Sequence, residues 1–275
     1  MPATGHPPLA HWPFPIFLTL LLVGAAILYA LGLFRLRSAA TNTNSVWRHF
    51  YFTSGLLLIW TALGSPLAAM DHQLLTIHMV KHLLLMTVAP ALILLADPVQ
   101  ALAYGLPQQF LGQVLLPMLR WRPIRHLGRF LANPIACWLA ATGVLIGWHV
   151  PAIFALALRS HTVHSIEHFS FVFAGFLFWW PVLQPWPAVP LKSRWPILIY
   201  LFLATLPCDI LSAYLTFCDH VVYTHYLNLP GAALAAVLRD QEFAGALMWT
   251  CVTIIYLVPA GILTVRLLEP VSHRT

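Results

Sequence analysis

Residues 14–34 read FPIFLTLLLVGAAILYALGLF, 21 positions without a charged side chain. At about 1.5 Å per residue this run makes a helix about 30 Å long, the thickness of a bilayer's hydrocarbon core. Its apolar residues are continuous rather than alternating. It therefore reads as a helix and not as a strand of a closed barrel, the other structure that satisfies its own backbone in lipid. It lacks a basic leader and a small-residue cleavage site, so it is expected to remain as a span rather than act as a signal peptide. Further apolar runs lie near 50–64, 74–95, 134–157, 163–183, 195–217 and 243–265; the run at 50–64 is short and ends at Gly64-Ser65-Pro66. Residues 98–119 are apolar but broken by Pro107, Gln108 and Gln109, which predicts a re-entrant or interfacial segment. The expected fold is all-α: a polytopic membrane helix bundle of about seven transmembrane helices over 14–268, with an outer tail at 1–13 and a cytoplasmic tail at 269–275. Composition agrees. The chain is 60% hydrophobic and 8% charged, against about 25% charged in soluble domains, too little charge to cover a surface facing water.

The charges orient the bundle. Arg35, Arg37 and Arg48 follow the first run, and Arg120, Arg122, Arg125 and Arg129 follow the third. Lys192 and Arg194 follow the fifth, and Arg266 and Arg274 end the chain. With seven spans, these eleven of the fourteen basic residues share one side. Positively charged loops stay in the cytoplasm, so the N-terminus is expected outside and the C-terminus inside. The net charge of +6 thus reflects topology and gives no reason to expect nucleic acid as a partner; the expected surroundings are membrane lipid. The four cysteines, Cys137, Cys208, Cys218 and Cys251, form no CxxC pair and read as small buried hydrophobes.

Fourteen histidines are many for so apolar a chain. On this topology His78 and His82 fall in the outer half of the third span. His149 falls near the outer end of the fourth, about 22 Å along a helix beginning at Pro134. His161, His164 and His168 open the fifth. His78 and His82 are i and i+4, as are His164 and His168, so each pair projects from one helix face and can bind one ion. Imidazole suits zinc, copper, iron and nickel. Met86 lies one turn beyond His82, Met79 adjoins His78, and Met248 lies in the outer half of the last span; histidine with thioether suits copper(I). His72, His220 and His225 read as solvated loop residues. Glu167 is expected to orient a liganding imidazole. Asp240 and Gln241 are expected to cap the start of the last span, with Asp240 supporting the metal site as the other reading. Asp209, inside the sixth span, needs a partner or a proton. Lys81 sits about 60° and 100° around an ideal helix from His78 and His82, so it is expected to point away from a metal and snorkel.

Several stretches resemble the CtaG-type cytochrome c oxidase assembly proteins. They are His78-Met79-Val80-Lys81-His82 continuing to Met86, Ala89-Pro90, Asp97-Pro98, Trp148-His149-Val150-Pro151, His164-x-x-Glu167-His168 with Phe178-Trp179, and Asp240-Gln241 with Gly245 and Met248-Trp249. The likeness runs in order from about residue 50 to 265. It implies a multi-spanning protein of the plasma membrane, not an enzyme, that serves maturation of a heme-copper oxidase. Copper is the implied cofactor, and oxidase subunits and a soluble copper donor are the implied partners. The positions carried over are His78, His82, His149, His164 and His168. Lys81 departs from the family, which more often has Gln there. Two other readings stay open: a membrane-embedded zinc hydrolase, because His164–His168 spells H-x-x-E-H with Glu167 as general base, and a heme b protein with two axial histidines.

Overall fold

The computed structural model describes residues 14–39, 45–131, 133–183 and 195–268, and every long element among them is a helix. The tails at 1–13 and 269–275 lie outside the described residues, as do Lys192, Arg194 and Arg274. The elements are α1 (Ile16–Ala39), α2 (Ser45–Gly64), α3 (Leu75–Leu95), α4 (Pro98–Gly105), α5 (108–120), α6 (Arg122–Leu131), α7 (Pro134–His149), α8 (Pro151–Arg159), α9 (His161–Leu183), α10 (Trp195–Phe217) and α11 (Leu234–Leu268). Six of them are long and apolar enough to cross a membrane, α2 together with the 3₁₀ turn that extends it to Met70; α7 with α8 makes a seventh if that bent pair is one span. The molecule is an all-α membrane helix bundle. Large apolar side chains such as Phe17, Phe169 and Phe217 stand exposed along its outer faces, as lipid requires and water would punish.

Three local features set the architecture. The first is a π-helical turn, Leu84–Val88, inside α3. Pro90 follows it and has no N–H to offer the carbonyl of Met86, four residues earlier, so the regular ladder cannot run through. That carbonyl lies against Gly175 of α9, where a Cβ would strike it and would come within 2.7 Å of Pro90. The glycine is what lets α9 lie tightly along α3.

The second is the turn between α3 and α4. Asp97 adopts a left-handed conformation, φ 50°, which costs a residue with a Cβ about 1–2 kcal/mol. The turn is held from outside: Tyr29 Oη donates to the Ala96 carbonyl at 2.8 Å, and Arg48 donates to the Ala96 and Asp97 carbonyls at 2.9 Å each. α4 then packs on α1, and Arg35 donates to the carbonyls of Tyr104, Gly105 and Leu106 at its C-terminal end. Neither α4 nor α5 is long enough to span.

The third feature corrects an expectation. Residues 134–157, read as one continuous span, break at Val150-Pro151, and α8 leaves α7 at 75°. Val150 is extended, with ψ 123°, as the residue before a proline prefers. The bend carries Phe154 across the end of the bundle, where its ring lies tilted against Tyr223, centroids 4.1 Å apart, and meets His78 edge-on at 4.8 Å.

Candidate metal centre

α3 and α9 lie side by side, so residues one turn apart on each meet across the seam. From α3 come His78 and His82; from α9 come His164, Glu167 and His168; Asp71 reaches in from the turn before α3. Glu167 is at the middle. Its Oε1 lies 3.5 Å from His78 Nε2 and 3.3 Å from His82 Nε2, and its Oε2 lies 3.8 Å from His164 Nε2. His164 Nε2 is also 3.3 Å from Asp71 Oδ2. The imidazole rings stand 4.3 Å apart for His78 and His82, and 4.2 Å apart for His164 and His168. His78, Glu167 and Asp71 have no exposed surface.

These groups are short of partners. Among the described residues, neither ring nitrogen of His78 or His82 has a hydrogen bond, nor do Nε2 of His164 and His168 or either oxygen of Glu167. A buried polar atom left unpaired costs about 1–3 kcal/mol, so so many in one place call for something between them. Three overlapping sets have ligand atoms close enough for one ion: Asp71 with His78 and His164, His78 with His82 and Glu167, and His164 with Glu167 and His168. Nitrogen with carboxylate oxygen is a donor set that suits zinc, iron or copper(II).

The surrounding structure holds these ligands in place. The Leu75 N–H donates to Asp240 Oδ2 at 2.6 Å, and Thr76 Oγ1 donates to Asp240 Oδ1 at 2.6 Å, so α11 caps the helix that carries His78 and His82. Tyr226 Oη donates to the Asp71 carbonyl at 3.0 Å, and Tyr223 Oη to the His149 carbonyl at 3.2 Å. Both tyrosines come from the α10–α11 connection. Gln241 pins that connection, accepting from the Val222 N–H at 2.8 Å and donating to the His220 carbonyl at 3.1 Å. Burial alone would raise the Asp71 carboxyl, but the His164 imidazole and the Lys81 ammonium beside it hold it well below the usual carboxylate range.

Residues 27–269 match the family described as cytochrome c oxidase caa3 assembly factor, Caa3_CtaG, and so take in every helix that builds this cluster. The chain belongs to that family. Its relatives include uncharacterized proteins of Mycobacterium bovis and Mycobacterium tuberculosis, each 27% identical over 249 residues, and one of Mycobacterium leprae, 24% identical over 245. The alignments cover 88%, 88% and 87% of this chain but 37% of each relative, so the chain spans well under half the length of these mycobacterial proteins. No solved structure matches it.

In this CtaG-family chain the expected ligands divide. His78, His82, His164 and His168 gather around Glu167. His149 does not: its ring is 6.0 Å from His82, and with Met86 and Met248 it lines a cavity that Glu167, His78, His164 and His168 do not reach. Lys81 corrects a second expectation. It does not snorkel but is buried, bonded to Asp71 at the edge of the cluster; the turn before α3 folds back over the helix and brings a carboxylate to it. Asp240 corrects a third. α11 begins at Leu234, so Asp240 lies inside it and caps α3 instead. Asp209 Oδ1 has no partner among the described residues. His161 is exposed, as expected of a residue at the helix start. Asp71, Tyr223, Tyr226 and Phe154 were not legible as site residues; the one signal at Asp71 was the adjacent His72.

Proposed function

We propose that this chain binds copper at the Glu167 cluster on the non-cytoplasmic side of the plasma membrane and supports metallation of a cytochrome oxidase, without itself catalysing a reaction. Membership of an oxidase assembly family supports the oxidase as partner. The single observation that carries the metal is the convergence of unpartnered imidazole nitrogens from α3 and α9 on one buried carboxylate. The cluster is at the end of the bundle away from the arginine-rich segment around Arg122 and Arg125, the side on which copper would arrive from a soluble donor.

Elemental analysis of detergent-purified protein tests this. The wild type is expected to bind copper, and Glu167→Gln and His78→Ala are each expected to lower its affinity by roughly ten- to a hundredfold, the range lost when even supporting partners of metal ligands are removed. Full retention in both variants would overturn the reading. The zinc hydrolase is the second reading, since His164, Glu167 and His168 do come within reach of one ion. Against it, Glu167 lies among the imidazoles rather than apart from them with access to an attacking water. Zinc at full occupancy, with oxidase maturation lost in Glu167→Gln and peptidase activity present in the wild type, would favour it. Against a heme b reading, the cavity that His82 and His149 share is about 40 Å³, far smaller than a macrocycle. A Soret band in the purified protein would revive it.

A further inference from the structure

The cavity on the far side of His82 from the Glu167 cluster has its own chemistry. It lies among α3, α7, α9, α10 and α11, and its volume of about 40 Å³ is room for two or three waters or one ion with little else. Met79, His82 and Met86 line it from one face of α3, as their i, i+3, i+7 spacing requires. His149 lines it from α7, Cys208 from α10 and Met248 from α11. No carboxylate lines it. All three methionines and the cysteine are buried, Met86 at 7% exposure being the most open.

His149 carries the second observation. Its Nδ1 lies 2.7 Å from the Leu145 carbonyl. A carbonyl only accepts, so Nδ1 holds the proton. In the neutral ring that leaves the lone pair on Nε2, which is buried and has no partner among the described residues. A ring nitrogen fixed by a backbone carbonyl, with the other nitrogen bare in a ring that lines a cavity, is the arrangement metal-binding histidines use. His82 presents a second bare imidazole 6.0 Å away, centroid to centroid.

We propose that this cavity is a second metal site, specific for a soft monovalent ion, copper(I), held by His149 and His82 with thioethers from among Met79, Met86 and Met248. Two arguments select the ion. Thioether donors favour copper(I) over zinc, iron or copper(II). A lining of neutral donors also cannot offset the desolvation of a divalent ion, which rises with the square of its charge, whereas a monovalent ion costs about a quarter as much. The site is distinct from the Glu167 cluster and shares only His82 with it. His82 Nε2 lies 3.3 Å from Glu167 Oε1, so this imidazole is the one group through which copper(I) can pass between the two by exchange of ligands, with no change of oxidation state and no proton or electron transferred. Methionine also fills irregular cores without binding anything; the bare Nε2 of His149 is what that account leaves unexplained.

The test uses the full-length protein in detergent, titrated anaerobically with copper(I) in competition with a chromophoric chelator and examined by X-ray absorption at the copper edge. The wild type is expected to show copper–sulfur scattering. Met79→Leu, Met86→Leu and Met248→Leu combined, which nearly conserves volume, is expected to lose that scattering and lower copper(I) affinity by roughly ten- to a hundredfold. His149→Phe is expected to do the same, and both variants are expected to keep a wild-type melting profile. Glu167→Gln is expected to keep the sulfur-bound copper, which separates this site from the cluster above it. A wild type with only nitrogen and oxygen neighbours around copper would overturn the proposal, as would a methionine variant that retains copper–sulfur scattering.

Discussion

Lys81 and Asp71 face each other inside the bundle with side-chain exposures of 3% and 0%. Their attraction offsets the cost of removing both from water only while both are present. Lys81→Met leaves Asp71 buried and unpaired beside His164, and is expected to destabilise the protein by about 3–5 kcal/mol. Pairing it with Asp71→Asn is expected to recover part of that loss, measured as melting temperature in one detergent. If the single and double variants melt together, the pair contributes nothing. From the sequence, Lys81 was placed by ideal helix angles, which describe one helix in isolation. Its partner comes from a turn outside that helix, so those angles could not place it beside Asp71. His78, His82, His164 and His168 were legible because i, i+4 spacing is a property of a single helix and survives packing.

Among the elements, the seam between α3 and α9 decides whether the cluster exists. It depends on Gly175 lying against the π turn of α3. Gly175→Val is expected to push the helices apart, cost about 1–3 kcal/mol as overpacking does, and lower metal affinity with stability. Gly143→Ala is the control: a Cβ there meets nothing within 4 Å, so it is expected to be neutral or to gain about 0.5–1 kcal/mol from helix propensity. Equal melting temperatures for the two variants would contradict this account of the seam. The α7–α8 break was half legible. Pro151 announces an interruption, but proline kinks and proline breaks read alike in a sequence, and the 75° turn depends on what α8 packs against, namely Tyr223 and His78 through Phe154.

At the scale of the whole molecule, orientation is an expectation from charge that labelling can check. Cys218 is partly exposed in the α10–α11 connection, on the side predicted to face out. A variant keeping Cys218 alone is expected to react with a membrane-impermeant maleimide in intact cells, whereas Arg125→Cys in a cysteine-free background is expected to react only after permeabilisation. The reverse pattern would invert the topology and move the cluster to the cytoplasmic side. The helical class and the approximate number of spans follow from order along the chain alone. Transfer of a segment into lipid is close to a sum over its own residues, so each run could be read without its neighbours. The grouping of histidines by helix followed for the same reason. The division of the expected ligands between a carboxylate-centred cluster and a sulfur-lined cavity did not follow. It depends on which faces of α3, α7, α9, α10 and α11 meet, and that is set by close packing among residues up to 165 positions apart, as between Leu75 and Asp240. Distances of that kind are properties of the packed bundle, and no local pattern carries them.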